Sequence, residues 1–175
     1  MPRIISGLAV ALAMVGPAQA QQLAATLDAV TADGVGAPIG TVTVAPSDGG
    51  ATFTVRLQGL QPGPHGFHVH ADGNCGPGHG ADGKMAAAMQ AGGHWDPAGT
   101  KKHLGPDGEG HLGDLPVLEA QADGTVSATV VAPRIRDVEA LRGKALMVHA
   151  GGDNYSDQPK PLGGGGARVA CGVLG

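Results

Sequence analysis

Short stretches in which apolar and polar residues alternate constrain this chain more than any other feature of its sequence. Ile39–Ala45 and Ala51–Leu57 are two of them, and each contains several Thr-Val or Thr-Phe steps. A period of two residues is typical of a strand with one buried face. Turn-forming pairs such as Asp123-Gly124 separate such stretches. The pattern therefore predicts an antiparallel β-sandwich or barrel.

Eight stretches are predicted to form strands, and all are short and bounded by turn residues. They are Leu23–Val30, Ile39–Ala45, Ala51–Leu57, His65–His70, Leu115–Gln121, Thr125–Val131, Ala145–His149 and Arg168–Cys171. Helix has little support, and the best candidates, Lys84–Gln90 and Arg136–Leu141, are both short. The 32 glycines have no collagen-like period, so they are interpreted as turn residues between strands.

Two regions do not have the pattern of strands. One runs from Asp72 to Gly113 and is rich in Gly, Asp and His, and the other runs from Gly151 to Gly166. Long loops inside a compact domain are usually functional or disordered. These two loops also contain most of the polar residues that could support chemistry.

The first 20 residues have the three parts of a secretory signal peptide. Arg3 supplies a positive charge, an apolar run extends from Ile4 to Gly16, and small residues occupy positions 18 and 20. A membrane anchor or a first core strand is the alternative interpretation. The apolar run is shorter than the roughly 20 residues that span a bilayer. We therefore predict a signal peptide at 1–20 and one domain at 21–175.

The predicted mature chain has the size and charge of one mildly acidic domain. Removing 20 of the 175 residues leaves 155, with ten Lys and Arg against 15 Asp and Glu, a net charge of −5. That balance argues against nucleic acid or an anionic membrane as a partner. No later segment is long and apolar enough to be transmembrane, so no membrane contact is expected after cleavage.

The chain contains two cysteines, Cys75 and Cys171. Disulfides persist in exported proteins, and an even number of cysteines in that setting predicts one bridge. The bridge would close a loop of about a hundred residues. Two free thiols are the alternative, since the sequence does not show whether the two residues meet.

Eight histidines occur, and their clustering favours a metal site over eight unrelated side chains. His68 and His70 are two apart in a predicted strand, so both should lie on one face. His149 ends another predicted strand, whereas further polar residues lie in or at the end of the first loop: His94, His103, His111 and Asp114. Imidazoles with one carboxylate suit zinc, and imidazole-rich sites also suit copper. Spacing alone predicts a metal site but selects neither the metal nor the reaction.

Six motifs in this order resemble the copper/zinc superoxide dismutase family. They are Gly66–His70 (GFHVH), Ala91–Pro97 (AGGHWDP), Lys102–Pro106 (KHLGP), Gly110–Leu115 (GHLGDL), Ala145–Asn154 (ALMVHAGGDN) and Gly163–Val173 (GGGGARVACGV). The Leu-Pro after Asp114 and the run Ala132-Pro133-Arg134 are similar to the bacterial, periplasmic branch. The resemblance extends over essentially the whole mature chain. It implies an all-β fold, an eight-stranded antiparallel Greek-key barrel or sandwich with two long functional loops.

The resemblance also implies a role for each motif residue. It assigns one copper ion per subunit to His68, His70, His94 and His149, and one zinc ion per subunit to His94, His103, His111 and Asp114. It makes His94 both the bridge between the two metals and the site that takes up a proton. It makes Arg168 the group that holds superoxide. It assigns Asp153 to hydrogen bonds with ligand imidazoles, and it pairs Cys75 with Cys171.

The activity implied is dismutation of superoxide to oxygen and hydrogen peroxide, as antioxidant defence outside the cytoplasm. Three alternatives are an exported copper-binding carrier, a copper-only enzyme and a purely structural β-domain. The first two would be expected to lack ligands or the arginine, which are all present. The sequence leaves open whether the protein is a monomer or a homodimer.

Five other side chains have no assigned chemistry. His65 resembles a non-ligand histidine that packs behind the copper site, and His79 is expected to be a surface side chain. Lys160, and after it Lys101 and Lys102, are candidates for local positive charge that attracts an anion. For each lysine an ordinary solvated side chain is the stronger expectation.

Overall fold

The structure is a computed structural model that describes residues 22–175, so the expected signal peptide at 1–20 lies outside the described residues. Eleven strands occur within that range. They are β1 (Leu23–Thr31), β2 (Gly34–Ser47), β3 (Gly50–Leu57), β4 (Gly63–His65), β5 (Phe67–His70), β6 (Gly78–His79), β7 (Met85–Ala86), β8 (Leu118–Ala120), β9 (Val126–Ala132), β10 (Ala145–His149) and β11 (Arg168–Val173). Three short 3₁₀ helices cover Met89–Ala91, Glu139–Leu141 and Leu162–Gly164.

One curled antiparallel sheet forms most of the fold. Its strand order is β5-β10-β11-β1-β2-β3-β9, and β4 pairs separately with β8. Only Gly66 separates β4 from β5, and a tight turn joins β8 to β9, so the two sheets continue into each other. The chain passes from β3, beside β9, to β5, beside β10, which is a Greek-key crossing. The result is a Greek-key β-barrel.

All eight predicted stretches contain strand. The eight-stranded fold is confirmed when β4 and β5 count as one strand and the separate hairpin of β6 and β7 is left out of the count. The stretch His65–His70 is interrupted at Gly66, which bonds to Gly151 on the second loop. Leu115–Gln121 was predicted too long, and only Leu118–Ala120 is strand. Pro116 follows Leu115 and has no N–H to donate to a ladder, which limits pairing there.

The helix candidates were wrong in length and type. Lys84–Gln90 contains the short strand β7, and the 3₁₀ helix near it begins only at Met89, after Ala88 takes a left-handed conformation at φ 51°. Arg136–Leu141 is helical only over Glu139–Leu141. Within residues 22–175, no helix has the length and apolar character needed to cross a membrane.

The barrel interior is filled by the inward residues of the alternating strands. Val42, Phe53 and Val55 are fully buried, and Phe53 meets Phe67 edge to face with ring centroids 5.9 Å apart. Edge-to-face packing places the positive ring edge on the negative face of its neighbour. The buried aliphatic and aromatic side chains fix the strands on which the polar residues described below are placed.

A second, smaller apolar cluster lies between the first long loop and the outside of the barrel. Val30, Ala145 and Met147 of the barrel pack there with Ala88 and Ala91 of the loop. Cys171 is buried in the same cluster and is bonded to Cys75, which confirms the predicted disulfide. The bridge spans 96 positions of sequence, with 5.7 Å between the two Cα atoms. Apolar packing and a covalent bond therefore attach the loop to β11.

Removal of the disulfide should destabilise the protein. We expect the double variant Cys75→Ala, Cys171→Ala to lose about 2–5 kcal/mol of unfolding free energy, because the bridge restricts the unfolded chain over a long segment. Denaturant unfolding of wild type and variant in the same metal state measures this. Reduced wild-type protein serves as the control and should show a similar loss. A difference below about 0.5 kcal/mol would contradict the expectation.

Candidate metal centre

Two adjacent strands supply three of the histidines. Within β5, Phe67 and Val69 point into the barrel core, whereas His68 and His70 point to the opposite side, as their spacing predicted. Strand β10 pairs with β5, and its last residue, His149, joins the same cluster. All three imidazoles are buried.

The first long loop brings the remaining ligand candidates onto β5. Trp95 N donates to Val69 O at 2.8 Å, and Val69 N donates to Gly113 O at 2.8 Å, so the loop backbone docks against the strand. Gly113 permits this approach, because a Cβ atom there would lie 2.3 Å from Val69 O. The docking places His94 beside His70 and Asp114 beside His68.

The candidate ligand atoms form two overlapping groups, each with all members within 4.8 Å of one another. The first contains His68, His70, His94 and His149, and the second contains His68, His94, His103 and Asp114. The predicted copper set is thereby brought together in full. His111 lies at the margin of the second group, with Nδ1 3.4 Å from Asp114 Oδ1. His68 is in both groups because its ring stacks on His94, with centroids 3.9 Å apart.

Within residues 22–175, six buried ring nitrogens make no hydrogen bond of good geometry, and all six belong to the predicted ligands. They are Nδ1 of His68, Nε2 of His70, Nε2 of His94, Nε2 of His149, Nδ1 of His103 and Nδ1 of His111. Two of the six, on His103 and His111, lie 3.0 Å and 3.4 Å from carboxylate oxygens of Asp114. A buried polar atom without a partner costs about 1–3 kcal/mol. Their convergence fits metal binding, since each nitrogen has a lone pair available to an ion in the neutral tautomer.

The opposite ring nitrogen of most of these histidines is fixed by the protein. Asp153 accepts from Nε2 of His68 at 2.8 Å and from Nε2 of His103 at 2.7 Å, so one carboxylate orients a ring in each group. His70 Nδ1 bonds to Gly92 O at 2.9 Å, and His149 Nδ1 to Gly166 O at 3.2 Å. Such partners set the tautomer and the ring orientation.

His94 faces both groups. Its Nδ1 lies 2.9 Å from Asp114 Oδ1, on the side of the predicted zinc ligands, while its unpartnered Nε2 belongs with His68, His70 and His149. The ring therefore stands between the two groups, in the place expected of a bridging imidazole.

The predicted copper ligands are easily kept neutral. Burial lowers the pKa of His68 to about 3 and that of His149 to about 4, and it also lowers the pKa values of His70 and His94. Mutual repulsion with neighbouring imidazoles adds to the effect. The neutral ring is the form that binds a metal ion.

The predicted zinc ligands differ, because two carboxylates lie among them. Burial alone would lower the pKa of His103, but hydrogen bonding and charge from Asp114 and Asp153 raise it to about 9. Although burial opposes it, the same contacts hold the pKa values of Asp114 and Asp153 well below their ordinary range. This side of the site therefore carries negative charge suited to a divalent cation.

Arg168 lies beside the four-histidine group. It begins β11, directly across from His149, and its guanidinium donates to Ala88 O at 2.6 Å and to Gly92 O at 2.7 Å. Its charge contributes to the lowered pKa values of His70 and His149, and burial lowers its own pKa.

Sequence reasoning missed the backbone partners at this site. Gly92 O accepts hydrogen bonds from both His70 and Arg168. A side-chain partner was missed as well, because the carboxylate of Asp157 accepts from the backbone N of His103 at 2.9 Å. A carbonyl has no residue-type signature, so the sequence offered no signal for Gly92 beyond the glycine itself, which adopts φ 72°.

The histidines and lysines left without a role are placed as follows. His65 is buried, with Nδ1 2.6 Å from His149 O and Nε2 2.7 Å from Gln61 O, which is a structural position behind the four-histidine group. His79 is exposed in β6, opposite Met85, within a small hairpin of the first loop. The three lysines at 101, 102 and 160 are exposed, and their part in attracting an anion stays a prediction.

Comparison with known proteins gives one consistent family. Residues 39–174 match the family model described as copper/zinc superoxide dismutase (SODC). The copper/zinc superoxide dismutase 2 of Salmonella typhimurium is 53% identical over 174 residues, which cover 99% of each chain. The solved copper/zinc superoxide dismutase of Brucella abortus has a TM-score of 0.86 and 51% identity, covering 89% of this chain and all of that one. The solution structure of the monomeric Salmonella enterica protein has a TM-score of 0.78 and 54% identity, with the same coverage.

Replacing Asp153 by Asn should weaken the binding of at least one of the two metals. An amide oxygen can accept from one imidazole, but the amide nitrogen cannot accept from the other, so one ring loses its partner. We expect the affinity for copper or zinc to fall about 10- to 100-fold. Competition with chromophoric chelators measures this. Asp33→Asn, at an exposed turn, is the matched control. Unchanged affinity for both metals would show that Asp153 does not orient the ligands.

Zinc binding to the metal-free protein should release a proton from His103. Because its pKa is raised to about 9, this ring is charged at neutral pH and must become neutral to bind. The same shift stabilises the metal-free fold fully below about pH 6.5, and this stabilisation disappears as the pH rises through about 9.

Calorimetric titration with zinc in buffers of different ionisation enthalpy counts the protons released. We expect about one proton per zinc from this ring near pH 7, falling towards zero above about pH 9. Proton release that is constant between about pH 7 and 10 would contradict the charged state of His103.

Proposed function

The chain belongs to the copper/zinc superoxide dismutase family, and we propose that the two histidine groups described above are its copper and zinc sites. The enzyme catalyses dismutation of superoxide, in which two superoxide anions and two protons give one oxygen and one hydrogen peroxide. The observation that carries the site assignment is the convergence of six buried ring nitrogens that make no hydrogen bond of good geometry. Nε2 of His94 and three others form one group, and the nitrogens of His103 and His111 lie beside Asp114 on the other side of the His94 ring.

The proposed copper ligands are Nδ1 of His68 and Nε2 of His70, His94 and His149. The proposed zinc ligands are Nδ1 of His94, His103 and His111, with a carboxylate oxygen of Asp114. Copper, when bound, supplies the one-electron redox couple that dismutation requires, whereas zinc has no redox chemistry. His68 is assigned to copper, although it reaches both groups, because its Nε2 is already held by Asp153 and its free Nδ1 belongs with the other three imidazoles.

His94 is the residue that we propose handles a proton. Its Nδ1 is directed at Asp114 and its Nε2 at the copper ligands, so the ring is held on one side while the other nitrogen can gain or lose a proton. Hydrogen peroxide formation consumes protons, and a nitrogen beside the reacting anion is suitably placed to supply one.

Arg168 is the residue that we propose binds superoxide. The two carbonyls that it contacts use two of its five N–H donors and fix the plane of the guanidinium. A guanidinium stays charged at all relevant pH values, so it attracts an anion throughout the cycle. The disulfide and the apolar cluster beneath the loop hold Ala88, and with it this contact, against the barrel.

We further propose that the enzyme is exported, acts in the periplasm and serves in antioxidant defence there. The N-terminal pattern of charge, apolar run and small residues supports export. The Cys75–Cys171 disulfide also supports it, since such bonds persist in oxidising compartments. A homodimer is a separate hypothesis, and the similar Salmonella enterica structure is of a monomeric protein.

Arg168→Ala should slow the enzyme without removing its metals. Stopped-flow decay of superoxide by the copper- and zinc-loaded wild type should approach the diffusional ceiling, on the order of 10⁸–10⁹ M⁻¹s⁻¹. Loss of the positive charge should lower this rate by a factor on the order of 10 to 100 and weaken its dependence on ionic strength.

The control is Arg142→Ala, because Arg142 is exposed and pairs with Glu139. It should retain the wild-type rate. A wild-type rate in Arg168→Ala with full metal content would remove Arg168 from the proposal. Copper binding without catalysed decay in the wild type would favour a copper-carrier protein instead.

A further inference from the structure

We propose that Arg134 is a positioning residue for the zinc site, acting through the backbone of His111. This inference rests on the proposed assignment of His111 as a zinc ligand. Arg134 belongs neither to the strands nor to the loops that supply the ligands, because it follows the end of β9 at Ala132. Nothing in the mechanism described above uses it.

His111 is held differently from the other ligand histidines. His68, His70, His103 and His149 each bond a second ring nitrogen to a carboxylate or carbonyl, and His94 has Nδ1 against Asp114. The hydrogen bonds among residues 22–175 give His111 Nε2 no such partner. Its side chain is also the one at the margin of its group. Among the described residues, the hydrogen bonds that hold His111 are made by its main chain, so the direction of its Nδ1 depends on how that main chain is held.

The main chain of His111 is held by hydrogen bonds on two sides. On one side, His111 N donates to Lys102 O at 2.8 Å. On the other, the guanidinium of Arg134 donates from one terminal nitrogen to His111 O at 3.1 Å and from the other to Gly110 O at 3.0 Å. The two carbonyls are consecutive, so the planar fork of the arginine fixes the orientation of the peptide unit between them.

Arg134 is itself attached firmly to the barrel. Ala132 pairs with Ala51 in the sheet, and Ile135 is buried in the main core. Ile135 N also bonds to Ala132 O across the turn that contains Arg134. The contact to Gly110 and His111 therefore transmits the rigidity of the barrel to the far end of the first loop.

The direction in which zinc affinity changes on replacing Arg134 distinguishes a positioning role from a direct electrostatic effect of its charge. A guanidinium near a zinc ligand repels a divalent cation, so removing its charge alone would raise zinc affinity. A positioning role predicts the opposite, because losing the two hydrogen bonds frees the His111 backbone. The measured direction of the change therefore decides between the two.

The test measures zinc affinity by chelator competition on the folded protein with its copper site filled. Arg134→Met, which removes both donors and keeps an apolar stem, should bind zinc about tenfold more weakly. Arg134→Lys, which can reach only one carbonyl, should be intermediate. Arg136→Met is the matched control. Arg136 lies two residues after Arg134 and also donates to a backbone carbonyl, that of Asp48, which is far from the zinc ligands in sequence. This control variant should stay within about twofold of wild type.

Cobalt placed in the zinc site reports ligand geometry independently of activity. Its visible bands should shift in Arg134→Met towards those of His111→Ala. In the His111→Ala background, Arg134→Met should lower zinc affinity by less than about twofold, since the ligand it positions is gone. If Arg134→Met does not fold, the cobalt bands of Arg134→Lys decide, and bands identical to wild type would overturn the proposal.

Unchanged or increased zinc affinity in Arg134→Met would overturn the inference, as would an equal loss in the His111→Ala background. If the proposed zinc assignment itself is wrong, the expected result is different. In that case His111→Ala itself would keep wild-type zinc affinity and cobalt bands, whatever the Arg134 variants do.

Discussion

The burial of six imidazoles around two small volumes is the constraint on which the rest of the structure depends. Each ring has a polar nitrogen on both sides, and a buried nitrogen without a partner destabilises the fold. The protein satisfies one nitrogen of most rings with its own atoms, and Asp153 does so for a ring in each group. The other nitrogens converge, and in the proposed assignment they are the atoms that bind the metal ions. Binding and folding are coupled for this reason.

The long loops are organised around the same requirement. They bring ligands that the strands do not contain, and each must be fixed because loops by themselves are mobile. The first loop is attached by backbone hydrogen bonds to β5, by the disulfide to β11 and by Arg134 to the end of β9. Gly92 in this loop contacts two residues of the site, because its carbonyl accepts hydrogen bonds from both His70 and Arg168. A change at Gly92 should therefore affect the proposed metal ligand His70 and the proposed anion-binding residue Arg168 together.

The sequence predicted the strands well where alternation was clear and less well where other contacts governed the backbone. Ala145–His149 was predicted with its observed bounds, since five buried residues lie between turn residues. Leu115–Gln121 was extended too far because Asp114 and Leu115 make isolated contacts with His68 and Phe67 of β5, and they do not continue the pairing of β8 with β4. Lys84–Gln90 was one of the two short helix candidates, but the left-handed backbone at Ala88 and the apolar cluster beneath it divide that segment.

The sequence by itself determined the fold class and the set of metal-competent residues, because alternation, composition and ordered motifs are local properties of the chain. It predicted one disulfide, but only the fold shows that Cys75 and Cys171 meet. Tertiary structure decided which ring nitrogen of each histidine is free, where His111 stands relative to Asp114, and which carbonyls hold Arg168 and Arg134. These features depend on backbone atoms and on contacts between residues as far apart as Ala88 and Arg168. Backbone carbonyls are the same in every residue, so only the folded chain can select among them.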